Sequence, residues 1–547
     1  MTLIVFIFSN PEWLILAAGI GLRLKHLLEN RPLWLDEAYV AVGLISRSYS
    51  EIFANHEIFP EFARAPMLFE IIEKFMVDLL GNHEISLRLF PFICSIAALA
   101  AFAAVSRKIL SRPAFLLALS FFALAEPLVY YAAELKQYSI DLLCAILLVD
   151  LARLVLKNNF QGRDLLILTL FGAAALWLSN AMIFMLAGIG GVFLISRPWT
   201  LGRKTLIFLS ITMLVWLVSS GFLYFYSLRF MIGNTSITQT WKEGLCASPV
   251  FSWATLRWLG EVWAASFPKA AGLTWWWLML PLFVVGIFSS WRKDRALTLL
   301  WFLPVLFVLF AALMGKYPFY GRVILFLMPG YYIFIASGIG ELLSLPRVTS
   351  TRYLALLLTA FFFFQPVADA GYHFLHSRSK TDNRGVMDFV ARNYRPGDFI
   401  YLSTSAQPPF WYYAQQTGLS LRFPQPVVGE SDGKLIRAFK VAKFALDAQE
   451  IQGHQCIFFM FEYNVFDKDG NFRSNMGMQQ ENGKIGVVPV GFPYHFPATG
   501  RTWLILSSPG PEESLSNDVI LASFDLSAKR LKTFESLNAG AFLFDVH

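Results

Sequence analysis

Apolar segments of about twenty residues recur along the first two thirds of this chain, and the short connections between them alternate between basic and nearly uncharged. That pattern limits the fold more than any other feature. In hydrocarbon every backbone N–H and C=O must find a partner inside the protein, so a chain with repeated apolar stretches of this length crosses a bilayer as helices. About eleven segments have the required length. The first lies between Thr2 and Leu28. The others centre near 87–105, 113–131, 139–156, 164–179, 180–196, 205–226, 273–290, 296–314, 323–341 and 353–368. Only 15% of the 547 residues are charged, against roughly 25% in soluble domains. The mean hydropathy is +0.52. The abundant Phe and Trp suit lipid-facing helices and interfacial belts. No basic leader and no small-residue cleavage site precede the first segment, so it is expected to remain as an anchor.

Loop charge sets the orientation. Arg107, Lys108 and Arg112, then Arg153, Lys157 and Arg163, Arg197, Arg203 and Lys204, Arg292, Lys293 and Arg295, and Arg347 and Arg352 all fall in one set of alternating loops. Short basic loops stay cytoplasmic. The net charge of +7 therefore reflects membrane orientation and argues against a nucleic-acid partner. With a cytoplasmic N-terminus, everything after about residue 369 lies outside. Three basic residues break the rule by occupying short outer connections: Lys136, Lys316 and Arg322.

The expected organisation is a membrane domain over 1–368 and an extracytoplasmic α/β domain over 369–547. Apolar runs at Asp398–Ser403, Cys456–Tyr463, Ile485–Val490 and Thr502–Ser507, separated by turn-rich stretches, read as its strands. A long first outer loop, 24–83, holds two amphipathic stretches, Glu37–Ala54 and Pro66–Leu80, expected to lie on the membrane surface. A second outer loop, 229–272, carries Trp241, Trp253, Trp258 and Trp263. Of the four cysteines, Cys94 and Cys144 fall in apolar segments, while Cys246 and Cys456 would face an oxidising compartment, where a disulfide can form.

The chemistry concentrates on the outer face. Asp36 and Glu37, in Trp34-Leu-Asp-Glu-Ala-Tyr39, follow the first span directly. Carboxylates are favoured in a first helical turn, but two of them in interfacial sequence also suit a general base with an orienting partner. Glu134, Lys136, Tyr138 and Asp141 surround the next outer turn. If that helix starts early, Glu134, Tyr138 and Asp141 share one face, with Asp141 inside the span, where ionisable groups normally face a bundle interior or watery cavity. Lys316, Tyr320 and Arg322 lie in Gly315-Lys-Tyr-Pro-Phe-Tyr-Gly-Arg322, and Arg64 in the first outer loop. These cations match a lipid phosphate, with Arg binding bidentately and Lys as a compact charge. His56 reads as a solvated loop histidine. The chain has no P-loop, no GxGxxG fingerprint and no HExxH. Three classes of function remain: a transferase using a lipid-linked donor, a transporter or flippase for a lipid-linked saccharide, and a glycan-binding scaffold. Transporters usually show inverted repeats and broken helices, which this sequence lacks.

Taken in order, these motifs resemble the GT-C integral-membrane glycosyltransferases, in particular the branch of protein O-mannosyltransferases and lipid A aminoarabinose transferases. The resemblance rests on the acidic pair opening a long first outer loop, on Arg64-Ala-Pro-Met-Leu68 before the second interfacial helix, and on the Glu134–Asp141 and Tyr317–Arg322 segments. It departs at Ala63 and Ala65, where the branch can carry an acidic residue and a second proline. The resemblance implies an inverting transfer of sugar from a polyprenyl-phosphate-sugar to a lipid, glycan or protein hydroxyl. Asp36 would act as base, and Arg64, Lys316 and Arg322, with Lys136, would neutralise the leaving phosphate. Glu37, Glu134 and Asp141 would hold sugar, acceptor or a basic neighbour. Some members use a divalent cation, and nothing here marks its ligands. A bacterial inner membrane is the expected location, since Asn234-Thr-Ser236 is the one conspicuous glycosylation sequon in an outer loop.

Overall fold

The computed structural model describes residues 10–56, 64–196, 200, 202–232, 238, 240–246, 249, 252–344, 349–395, 398–417, 450–451, 454–458, 465–466, 472–474, 478–481, 484–487, 500–508, 517, 521, 524–525 and 528–546. The chain divides into two compact units. One comprises Met1–Asn30 with Arg47–Ser377, the other Arg31–Ser46 with Arg378–His547.

The first unit is helical. In chain order it contains α1 (Pro11–Leu28), then, after α2 of the other unit, α3 (Tyr49–Phe53), α4 (Met67–Leu80), α5 (Glu84–Ile109), α6 (Arg112–Leu124), α7 (Glu126–Tyr130), α8 (Tyr138–Lys157), α9 (Gly162–Leu178) and α10 (Met182–Ile195). It continues with α11 (Arg203–Leu223), α12 (Trp253–Lys269), α13 (Trp276–Lys293), α14 (Arg295–Leu313), α15 (Met328–Ser344) and α16 (Thr349–Leu375). Each apolar segment picked out in the sequence is thus helical over most of its described residues, the first of them from Pro11. Among the described residues, four helices are by themselves long and apolar enough to cross a membrane: Glu84–Ile109, Arg203–Met231, Arg295–Leu313 and Gly321–Leu343. Arg112–Leu124 and Glu126–Ala133, bent by 52°, make a fifth if taken as one span. Others are shorter or more polar: α9 and α10 have 17 and 14 residues, and α8 carries Asp141, Asp150, Arg153 and Lys157. The chain is a mostly helical integral membrane protein.

Two close contacts organise this unit. Pro127 lacks an N–H, so the Ala123 carbonyl four residues earlier loses its helical donor, and the chain bends there. Arg23 of α1, fully buried, donates instead to the carbonyls of Ala123 at 2.8 Å and Phe122 at 3.1 Å, and also to Ser95 Oγ of α5 at 2.9 Å. One side chain therefore ties three helices at a break. At the second contact α13 and α15 cross backbone to backbone: a Cβ on Gly286 would sit 1.7 Å from the Phe334 carbonyl oxygen, and one on Gly338 would sit 2.1 Å from that of Leu282. Small residues allow this approach, and it replaces the hydrophobic driving force that lipid does not supply.

The segment 24–83 holds a buried ion pair, Arg47 to Glu70 Oε1 at 2.6 Å. Its second amphipathic stretch forms α4, and the first divides into α2 (Leu35–Ser46) and α3. Among the described residues of 229–272, Trp253–Lys269 form α12. Cys246 Sγ lies 3.7 Å from Thr255 Oγ1, and the Cys456 side chain, the other half of the expected disulfide, lies outside the described residues. His56 is exposed.

The second unit contains α2, α17 (Asn383–Asn393), α18 (Gln407–Gln416) and a six-stranded mixed sheet of order β2-β3-β1-β8-β10-β9. Its strands are β1 (Phe399–Leu402), β2 (Glu450–Ile451), β3 (His454–Phe458), β8 (Gly500–Ser507), β9 (Lys529–Ser536) and β10 (Ala539–Val546). Short hairpins β4–β5 (Val465–Phe466, Phe472–Ser474) and β6–β7 (Met478–Glu481, Lys484–Val487) lie between β3 and β8 in the chain. β1 runs parallel to both β3 and β8, and β10 is antiparallel to its neighbours β8 and β9. The central strands are apolar on both faces, as a covered sheet requires: Trp503, Leu504, Ile505 and Leu506 are all buried in β8. Helix α17 packs on β9 and β10, and α18 packs on α17 and on α2.

Candidate active site

The acidic pair opens α2. The Trp34 carbonyl accepts from Glu37 N–H at 3.0 Å and from Ala38 N–H at 2.9 Å, which starts the helix one residue before Asp36. Both carboxylates thus lie in the first turn, where unpaired N–H groups give the helix its positive end and favour negative charge. The two differ in environment. Glu37 is buried, with 1% of its surface exposed, while Asp36 is half-buried and reachable from outside. Adjacent helical positions point about 100° apart, so one residue serves the interior and the other the surface. This pair belongs to the second unit, with the C-terminal sheet.

The remaining candidates lie in the first unit. α8 begins at Tyr138, not earlier. Before it, Tyr131–Ala133 form a 3-10 turn and Glu134 is extended, with φ −129° and ψ 136°. The expectation that Glu134, Tyr138 and Asp141 share a helical face is therefore wrong, because the 3-10 turn ends in extended backbone and only Tyr138 and Asp141 are on the helix. Glu134 and Asp141 are nonetheless both buried, and Lys136 is half-buried between them in sequence. Asp141 Oδ1 has no hydrogen-bond partner among the described residues. Ionisable residues buried in a span are functional-site candidates by default.

The structure does join the second and third sequence motifs. The Arg322 guanidinium lies over the Tyr138 ring at 6.0 Å and over the Trp241 ring at 5.2 Å. A guanidinium held by its faces retains the in-plane fork of N–H donors that matches a phosphate. Tyr320, two residues earlier, accepts a lysine the sequence reading had passed over: Lys269 Nζ lies 4.3 Å above its ring centroid, hydrogen-bonds its hydroxyl and sits 3.6 Å from Glu243 Oε2. Lys316 is exposed. Arg64 is half-buried with its guanidinium 4.0 Å over the Phe230 ring, which Arg229 also approaches at 4.5 Å. Lys269 and Arg229 were detectable in principle as further basic residues of the 229–272 loop, whereas nothing in the spacing set Trp241 apart from the other tryptophans there. Among the described residues no cluster of three or more His, Cys, Asp and Glu side chains is placed to hold a metal ion, and no step below is routed through one.

No protein-family model matches the chain, and no curated protein matches it by sequence. Its fold is similar to solved membrane enzymes. ArnT from Cupriavidus metallidurans, bound to undecaprenyl phosphate, aligns over 99% of this chain and 98% of that one, with 12% identity and a TM-score of 0.48. The Archaeoglobus fulgidus oligosaccharyltransferase, in complex with zinc and sulfate, aligns over 74% of this chain with 12% identity and a TM-score of 0.45. The oligosaccharyltransferase AglB from the same organism, with an inhibitory peptide and a dolichol-phosphate, aligns over 85% with 13% identity and a TM-score of 0.46. This chain spans 61% and 66% of the length of those two oligosaccharyltransferase structures.

Proposed function

We propose that this protein is an inverting glycosyltransferase that takes a sugar from a polyprenyl-phosphate-linked donor and gives it to a hydroxyl on the outer face of the membrane. The observation that carries the reading is the pairing of chemistries on one chain. A half-buried carboxylate, Asp36, stands at a positive helix end beside a buried one, and a separate set of cations comprises Arg322, Lys269 and Arg64, each over an aromatic ring, and the exposed Lys316. A base and a phosphate cradle are the two things such a displacement needs.

In this reading Asp36 removes the proton of the acceptor hydroxyl as its oxygen attacks the anomeric carbon. The bond from that carbon to the phosphate oxygen breaks, and the pair of electrons leaves with the polyprenyl phosphate. Arg322, backed by Lys316, Lys269, Lys136 and Arg64, stabilises the charge that develops there, which is commonly the largest catalytic contribution. Glu37 supports the start of α2, and Glu134, Tyr138 and Asp141 bind the sugar. Eleven spans, a cytoplasmic N-terminus, division into 1–368 and 369–547, and a bacterial inner membrane complete the proposal. The sugar is a hexose or pentose derivative, and the acceptor a lipid, glycan or protein.

Cells lacking the gene, complemented with wild-type or Asp36→Asn protein at matched expression, test this. Mass spectrometry of envelope lipids, glycans and glycoproteins should show one sugar-sized mass restored by wild type alone. If both proteins restore the same profile, Asp36 is not the base and a flippase for a lipid-linked saccharide becomes the better reading.

A further inference from the structure

The acidic helix is gripped by residues of the C-terminal domain more than 340 positions away. Leu33, three residues before Asp36, has both backbone groups taken by side chains: its N–H donates to the Tyr413 hydroxyl at 2.8 Å, and its carbonyl accepts from Asn383 Nδ2 at 3.1 Å. The next residue, Trp34, lies under Lys380, whose Nζ is 3.2 Å from the ring centroid. Arg31 Nη1 donates to the Arg378 carbonyl at 3.1 Å. Tyr413 and Asn383 are themselves buried, so neither bond competes with bulk water.

The gripping segment is fixed in turn by the sheet. Asp382 N–H donates to the Leu537 carbonyl at 2.8 Å, Ser536 Oγ donates to Asp382 Oδ2 at 2.7 Å, and Asn538 Nδ2 donates to the Lys380 carbonyl at 2.8 Å. Asn538 takes a positive φ of 51°, the left-handed conformation asparagine tolerates at the tip of the β9–β10 hairpin. Asp382 also caps α17 through Gly385 N–H at 3.0 Å. A continuous set of hydrogen bonds therefore runs from the hairpin tip, through 380–383, to the backbone immediately before the acidic pair.

We propose that Tyr413 and Asn383 are positioning residues for Asp36, and that the C-terminal domain is a structural part of the catalytic site: it fixes where α2 begins and hence where the base stands. This rests on the reading of Asp36 as the base. A first helical turn at the start of a loop would otherwise fray. Fixing both backbone groups of Leu33 holds the carboxylate to the geometry that attack requires, and a misplacement of about 1 Å costs roughly a hundredfold in rate.

The test uses the full-length protein in lipid nanodiscs, as wild type, Tyr413→Phe, Asn383→Leu, Asp36→Asn and Phe389→Leu. The last loosens the domain elsewhere, through its stacking on Phe534 at 5.0 Å. Three quantities are read: hydrogen–deuterium exchange across 31–46, retention of undecaprenyl phosphate, and turnover as release of polyprenyl phosphate from the host's own polyprenyl-lipid extract. In Tyr413→Phe and Asn383→Leu, exchange at Leu33–Tyr39 should quicken about tenfold while undecaprenyl phosphate retention stays at the wild-type level. Turnover should fall roughly 10- to 100-fold. Phe389→Leu should change exchange within the domain without that selective loss of turnover. Unchanged exchange at Leu33–Tyr39, or faster exchange with wild-type turnover, overturns the positioning role. If Asp36→Asn is inactive while both clamp variants turn over normally, only this inference fails. If Asp36→Asn is fully active, the catalytic reading fails and takes this inference with it.

Discussion

Arg322 shows how much a single side chain reveals before and after folding. In the sequence it stands out because it breaks the positive-inside pattern, and in the structure it lies against the Tyr138 and Trp241 rings. Its aromatic partners were not legible, since ring contacts between distant segments leave no trace in spacing. The assigned role predicts that Arg322→Lys, which keeps the charge but loses the planar fork, lowers kcat by about tenfold, and that Arg322→Met lowers it by roughly 10²–10³. Steady-state turnover of the two variants checks this, and equal rates for Arg322→Met and wild type would remove Arg322 from the phosphate cradle. Glu73 of α4 makes a separate prediction. It is fully buried, neither carboxylate oxygen has a hydrogen-bond partner among the described residues, and burial pushes its carboxyl well above the usual range. A raised folded value means that stability is complete below the unfolded value, about 4.3, and is lost as pH rises towards the folded one. Glu73→Gln should therefore melt with wild type at pH 4 and above it at pH 8. Parallel melting curves at both pH values would contradict the assignment.

Elements were legible where one physical signal dominated. Among the described residues each apolar run is mainly helical, as hydrocarbon requires of the backbone. Strands at 399–402 and 500–507 followed their apolar runs closely. Boundaries failed where local hydrogen bonding competed. Glu134 was expected on the α8 face, but Tyr131–Ala133 tighten into a 3-10 turn and the helix waits for Tyr138. The Arg23 tie at the Pro127 break was equally hidden: a charged residue inside an apolar segment reads as a liability until the two carbonyls it satisfies are seen. The α13–α15 crossing is an element-scale claim with its own test. Gly286→Leu leaves no room for the Phe334 carbonyl and should cost at least about 2 kcal/mol, whereas Gly221→Ala, with nothing within 4 Å, should be neutral. Thermal midpoints in the same detergent distinguish them. Comparable midpoints would mean that the helices do not pack at these glycines.

For the whole molecule, composition shifts along the chain from an apolar, helical part to a mixed α/β part, which is what suggested a division near residue 369. It could not reveal that Arg31–Ser46, placed early in the chain between membrane segments, folds as one compact unit with residues 378–547. The contacts responsible join residues 350 and 380 positions apart, and no local pattern encodes them. The proposed base is built on the unit that holds the C-terminal sheet, and the proposed phosphate-binding cations on the other.

The central claim is that Asp36 drives transfer from a polyprenyl phosphate. The most direct measurement is the release of free polyprenyl phosphate by purified full-length protein in lipid nanodiscs supplied with host lipid extract, comparing wild type with Asp36→Asn. The account predicts release by wild type together with a sugar-sized mass gain on an acceptor, and a loss of at least about 10³-fold in the variant with undecaprenyl phosphate still retained. Equal release by both proteins, or none by wild type while a saccharide-bearing lipid changes leaflet, would contradict it.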